Sequence, residues 1–146
     1  MIETVIDSNF EEVLPLIAIY QEFYGVADIS AERNRNFFSK FINGKSEGVQ
    51  FIYRHEGEAV AFATVYFTYS STLAAKVAVL NDLFVLATHR KKGIAKSLIE
   101  HCYQYGRSQN AVRLQWLTAK NNETAQAVYN HVGARRSDWV FYSYAP

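Results

Sequence analysis

The sequence predicts one α/β domain built on a mixed sheet. Three observations point there. The 146-residue length fits a single domain spanning residues 1–146. Apolar residues recur at helical spacing in some stretches and at strand spacing in others, and the two patterns interleave along the chain. No repeat, linker or low-complexity segment divides it.

Each element has its own signal. Residues 4–6 read as a short first strand. Ser8 followed by Glu11 has the spacing of a capping box, and Phe10, Val13, Leu14, Ile17, Tyr20 and Tyr24 form a helical stripe that Gly25 ends. Pro15 inside that stripe is expected to kink the helix or to set its start. Ser30 can cap a second helix carrying Phe37, Phe38, Phe41 and Ile42, closed by Asn43-Gly44. The period then changes. Residues 48–54 and 59–69 read as a hairpin around Glu56-Gly57, and residues 76–85 as a third long strand. A basic loop, 88–92, leads into a helix over 93–109 with Ile94, Ala95, Leu98, Ile99, Cys102 and Tyr105 on one stripe. A strand over 112–118, a helix over 122–132 ended by Gly133, and an aromatic strand over 139–144 complete the chain.

Composition narrows the function. Ten Phe, ten Tyr and two Trp with only two Pro and seven Gly exclude a disordered or fibrous chain. No apolar run approaches the ~18 residues of a membrane span, and the start of the chain lacks a signal-peptide pattern. No membrane role is expected, and the single Cys102 suits the cytoplasm. The net charge of +1 argues against a nucleic-acid binder. That total hides a division. Residues 1–75 hold ten acids and five bases, net −5, whereas residues 76–146 hold four acids and ten bases, net +6. Either the halves mix into an ordinary surface, or an anionic ligand sits on the second half and a cationic one near the first. His55, His89, His101 and His131 lack metal-ligand spacing, so no metal is expected.

Two segments carry candidate chemistry. After the strand ending at Val85 comes Arg90-Lys91-Lys92-Gly93-Ile94-Ala95, with Lys96 next. A helix start presents unpaired backbone N–H groups and the positive end of its dipole, and Gly93 and Ala95 remove bulk in front of them. A phosphate fits such a turn, and so does a merely solvated basic helix start. Further on, Asn122 is a plausible N-cap, with Ala125 and Tyr129 one turn apart on the helix it opens. Tyr129 is either a proton donor or a core aromatic.

The combination of these segments, in this order of elements, resembles the GNAT N-acetyltransferase superfamily over nearly the whole chain. The hairpin Glu56-Gly57-Glu58-Ala59-Val60-Ala61 resembles that family's central hairpin, with Ala61 where many members have Gly. The resemblance implies a twisted mixed sheet of six or seven strands flanked by about four helices. It implies acetyl-CoA as cosubstrate, held between the strands 78–85 and 112–118. Backbone groups of Leu83, Phe84 and Val85 would then pair with the pantetheine arm, and amides of Lys91, Lys92, Gly93, Ile94 and Ala95 would hold the pyrophosphate near Arg90 and Lys96. Asn122 would bond the pantetheine or phosphate region, and Ala125 would leave room for the thiol end. Tyr129 would protonate the departing thiolate.

The acceptor is expected to be a primary amine that attacks directly: a polyamine, an aminoglycoside-like compound, a lysine side chain or a peptide tail. A free alkylamine is protonated at neutral pH, so a base is needed. Leu80-Asn81-Asp82-Leu83-Phe84-Val85 resembles the matching strand of polyamine and small histone acetyltransferases, some of which carry Glu where this chain has Asn81. Asp82, as base or as a structural side chain, and Glu22, acting through water, are the candidate carboxylates. Glu22, Asp28 and Glu32 sit where the family places acceptor-binding loops. A bulge within 83–85 would aim a backbone N–H at the thioester oxygen. Trp116, Trp139, Phe141, Tyr142 and Tyr144 form core or the seam of a homodimer. The competing reading is a non-catalytic acyl-CoA-binding module with the same fold.

Overall fold

The computed structural model describes residues 1–146. Five strands form one sheet in the order β1 (Ile2–Thr4), β2 (Gly48–His55), β3 (Glu58–Ser70), β4 (Ala75–Val85) and β5 (Leu114–Gln115). The first four are antiparallel neighbours, and β5 alone runs parallel to its neighbour, β4. The hairpin joining β2 and β3 turns on Glu56 and Gly57, both at positive φ, as a twist-matched two-residue turn requires.

Helices cover both faces. On one face α1 (Phe10–Phe23) and α2 (Ala31–Phe38) pack Val13, Ile17 and Phe38 against Ile52, Phe62 and Phe84. On the other, α3 (Ile94–Ser108) sets Leu98, Ile99 and Cys102 against Phe51, Ala63 and Ala78. Alternation along β2 and β3 sends successive side chains into these two cores, so both strands are buried on both sides. The last helix is α4 (Glu123–His131).

Several expectations need correction. The first strand lies at Ile2–Thr4 rather than 4–6. The Ser8–Glu11 capping box does not form. Asn9 is the N-cap residue, and its side chain instead ties the chain before it, accepting from the Ile6 N–H at 2.7 Å and donating to the Thr4 carbonyl at 3.1 Å. Glu11 turns outward to pair with Arg35 at 2.9 Å. α1 starts at Phe10 and runs through Pro15, whose exposed face lets the solvent take the carbonyl that Pro leaves unpaired. The strand expected over 112–118 shrinks to Leu114–Gln115, and residues 139–144 form no strand. The sheet therefore has five strands, fewer than the six or seven expected, with the four helices as expected.

Candidate active site

The site is a parting in the sheet. β5 pairs with β4 only at Ala78↔Leu114 and Val79↔Gln115. From Leu80 to Val85 the outer edge of β4 has no strand beside it. Leu86 spends its N–H on the Val60 carbonyl of β3, so the alternate residues Leu83 and Val85 direct their backbone groups outward, into the parting. A ligand with amide groups can lie there as an added strand.

A β-bulge re-aims the middle of β4. Thr64 faces Asp82 and Val65 faces Leu80, which leaves Asn81 as the extra residue. The bulge thus lies just before 83–85, not within it. Without it, alternation would turn Asp82 toward α3. With it, Asp82 joins Thr64 and Gln50 in one cross-strand row beneath α1. Gln50 Nε2 donates to Thr64 Oγ1 at 2.9 Å, and Asn81 Nδ2 donates to Asp82 Oδ1 at 3.0 Å. The hydroxyls of Thr64 and Tyr20 approach the same carboxyl group, yet Asp82 Oδ2 is enclosed without a well-aligned hydrogen bond. Burial, outweighing those three neighbours, raises the Asp82 pKa above the ordinary carboxylate value.

Tyr20 connects this row to an opening between α1 and the parted strands. Tyr20 of α1 and Tyr24 at its C-cap, Asn81 and Leu83 of β4, Trp116 and Tyr129 line it. The Tyr129 ring meets Trp116 edge-on at 5.2 Å, and Tyr24 meets Tyr20 in the same way at 5.0 Å. Burial, with a smaller contribution from Tyr24, raises the Tyr129 pKa, so its hydroxyl keeps its proton at neutral pH. Tyr66, beside Asp82, is pushed up to about 12, mainly by burial.

At the far end of the parting, Lys91 (φ +62°) and Gly93 (φ +78°) both adopt left-handed backbone before α3. Gly93 is the N-cap, where no side chain caps the helix, and a Cβ there would meet open space. The first-turn amides therefore remain available to an anion, with Lys91, Lys92 and Lys96 exposed around them.

The whole arrangement matches known proteins. The model of the acetyltransferase (GNAT) family matches residues 13–134. The chain belongs to the GNAT family of acetyltransferases. It is 31% identical over 126 residues to the uncharacterized N-acetyltransferase YhfO of Bacillus subtilis, covering 86% of this chain and 83% of that one. A solved structure described as a probable acetyltransferase is 30% identical with a TM-score of 0.84, covering 100% of this chain and 96% of that one. The aminoglycoside N-acetyltransferase AAC(6')-Iy, solved with CoA, shares the fold with a TM-score of 0.85 at 19% identity, over 99% of this chain and 93% of that one.

GNAT acetyltransferases take their acetyl group from acetyl-CoA, and the residues of this acetyltransferase fit that group: an unpaired strand edge for the arm and a bare, basic helix start for the phosphates. The competing reading of a non-catalytic module falls with the family assignment. Tyr129, Leu83 and the Asn81 bulge come together at the opening, and Asp82 lies one hydroxyl away behind Tyr20. Glu22 does not join them. Tyr20 and Tyr24 face the opening, and Glu22, midway between them, sits on the other side of α1. Arg90 turns back: its Nε donates to the Val85 carbonyl at 3.1 Å, and its guanidinium lies 5.6 Å from the Phe23 ring. The Asn122 oxygen caps α4, accepting from the Ala125 N–H at 3.2 Å. Sequence reasoning passed over Tyr20, Tyr24 and Thr64 as site residues. The helical stripe marked Tyr20 and Tyr24 as core, and nothing local signals the bulge that brings Thr64 to Asp82.

Proposed function

We propose that this acetyltransferase moves acetyl from acetyl-CoA to the primary amine of a small cationic acceptor by direct attack. The observation that carries the reading is the opening that groups Tyr129, Tyr20 and the bulged edge of β4. Three acids of the first half of the chain, Glu22, Asp28 and Glu32, enter none of the chain's ion pairs, whereas Glu3, Glu11 and Glu12 are held by arginines. The first half of the chain carries net negative charge, whose long-range field favours a cationic acceptor. Among solved structures of the same fold, AAC(6')-Iy is by name an aminoglycoside acetyltransferase and another is a ribosomal-protein-alanine acetyltransferase, so the preference for a small acceptor rests on charge and on the opening.

Acetyl-CoA supplies an activated thioester when bound. Amides of Lys91, Lys92, Gly93, Ile94 and Ala95, with Lys96 alongside, hold its pyrophosphate. Backbone groups of Leu83 and Val85 orient its arm, and Phe84, alternating with them, anchors the strand in the core. Arg90 fixes the Val85 end of that strand, and Asn122, accepting from the Ala125 N–H, caps α4. Tyr20 accepts the proton of the attacking amine as its own passes to Asp82, which is the proposed base. Tyr129 donates a proton to the departing sulfur. The proposed working unit is a homodimer, supported by the exposed aromatic segment at 139–144. The cytoplasm is the proposed location, where the free Cys102 thiol stays reduced.

The test is a panel of amines at saturating acetyl-CoA, read by release of free thiol. Turnover is expected with short polyamines or amino-sugars. Turnover confined to lysine-bearing peptides would remove the small-acceptor reading.

A further inference from the structure

The opening beside β4 is lined by aromatic rings, and no acid is among its lining residues. Tyr20 and Tyr24 come from the end of α1, Trp116 from the segment after β5, and Tyr129 from α4. The rings brace one another in edge-on pairs, Tyr20 with Tyr24 at 5.0 Å and Trp116 with Tyr129 at 5.2 Å. Burial, and for Tyr20 also Asp82, raises the pKa of Tyr20 and Tyr129, and Tyr24 raises both further. The hydroxyls of these tyrosines thus stand near one another. Tyr24 is 57% exposed, so the cluster is open to solvent at its rim.

Such a lining suits one kind of ligand. The face of an aromatic ring attracts a cation, and rings grouped around a space hold an ammonium whose nitrogen carries carbon. Phenol oxygens add lone pairs for any N–H that remains. A carboxylate, the other common way to hold an amine, does not line the opening: Asp82 is buried behind Tyr20. The same aromatic cluster already holds one cation at its outer end. There the Arg90 guanidinium lies 5.6 Å from the Phe23 ring and 5.9 Å from the Phe84 ring, and Phe84 meets Tyr20 at 5.8 Å.

We infer that Tyr20, Tyr24, Trp116 and Tyr129 form an aromatic cage for the acceptor's alkylammonium group, so that rings rather than a carboxylate recognise the cation before it gives up its proton. The acceptor class narrows to amines borne on an unbranched alkyl chain, whose methylenes lie against the rings. This inference rests on the acceptor site proposed above and names what selects the ligand there. Three kinds of pocket respond differently to one change of ligand. A cage tolerates methyl groups on the nitrogen, because they bring the positive charge to the rings. A carboxylate loses a charge-assisted hydrogen bond as each N–H is replaced. A merely apolar pocket ignores the charge.

The test measures binding by ligand-observed NMR titration, on the full chain with excess CoA present. The probes are ethanolamine, choline and the neutral carbon isostere of choline, in which a tert-butyl group replaces the trimethylammonium. Choline is expected to bind at least as tightly as ethanolamine, and the neutral isostere about ten-fold more weakly than choline. Tyr24→Leu is expected to weaken choline by a similar factor, and Tyr24→Phe to retain it. If Tyr24→Leu does not fold, the ranking of the probes on the unaltered chain decides by itself. An isostere that binds as well as choline would make the opening an apolar pocket and overturn the cage. So would choline weaker than ethanolamine, choline binding that Tyr24→Leu leaves unchanged, or no binding by any probe. Failure of the transfer reading looks different. An amine panel without turnover, beside the expected ranking, would remove the transfer and leave the cage. Turnover beside the opposite ranking would remove the cage and leave the transfer.

Discussion

Gln50 donates to Thr64 across two neighbouring strands at 2.9 Å, and both side chains are fully buried. That bond occupies an acceptor site of the Thr64 hydroxyl and leaves its proton for Asp82, the next residue in the row. A polar row through the dry centre of a sheet is costly unless its groups satisfy one another, and Gln50 Oε1 and Asp82 Oδ2 have no hydrogen-bond partner. Its outer end, through Tyr20, is the opening where an amine would lose a proton.

Asp82→Asn tests that use. Burial raises the Asp82 pKa in the fold, so its protonated form is the one folding favours. The resulting stability is present below the unfolded pKa and is lost as pH rises through the folded one. Replacing the carboxyl by a neutral amide is therefore expected to keep or raise the melting temperature at pH 8, while kcat falls about 10²-fold. A variant with unchanged kcat would exclude Asp82 as the base.

Thr64→Val removes a hydroxyl that lowers the Asp82 pKa. The acidic limb of the kcat/KM profile is expected to move to higher pH, since Asp82 must be ionised to accept a proton. Thermal unfolding should show a loss of about 1–3 kcal/mol from the unpaired polar groups left behind. An unmoved limb would separate Asp82 from the rate.

Tyr129→Phe keeps the ring against Trp116 and deletes only the hydroxyl. A fall in kcat of about 10²-fold is expected, with the thermal shift produced by CoA preserved. Loss of the thermal shift instead would make Tyr129 a binding residue rather than an acid.

Gly93→Val places a β-branched residue at φ +78° with open space around it, so any effect comes from the backbone and not from a clash. Titration calorimetry is expected to show CoA binding weakened by about ten-fold, as ~1.4 kcal/mol of left-handed strain disturbs the helix start. Equal affinity would remove this turn from the phosphate site.

Cys102 is buried and its thiol is pushed up to about 12. A thiol reagent is expected to modify it only at the rate of global unfolding. Rapid labelling of the native enzyme would contradict its place in the α3 core.

The sequence made the helices legible because their signals are local. Ser30 caps α2 by accepting from the Arg33 N–H at 3.1 Å, Gly25 and Gly133 take positive φ where helices end, and the α3 stripe is the one that packs. Strand extents were another matter. A strand exists only where a neighbour accepts it, and 112–118 and 139–144 have strand composition without a neighbour along most of their length. Asn9 displaced the Ser8–Glu11 box because its side chain satisfies two groups of the preceding segment at once. The Asn81 bulge was invisible for the same reason as the strands: it is a property of the pairing between Thr64–Val65 and Leu80–Asp82, not of either segment. The bare, basic helix start at Gly93 was readable because it lies within a few consecutive residues, and the row from Tyr20 to Asp82 was not because α1, β3 and β4 build it together.

The unpaired edge of β4 offers only N–H and C=O groups, and every amino acid but one carries both. Mutation can hardly erase such a recognition surface. The facing side is made of Tyr20 and Tyr24, single codons on one helix turn. In the proposed site the two sides are thus inherited under different rules. The backbone edge resists drift, and substitution at Tyr24 can reshape the opening while Tyr20 keeps its hydroxyl beside Asp82. A site built this way can change its acceptor while keeping its donor.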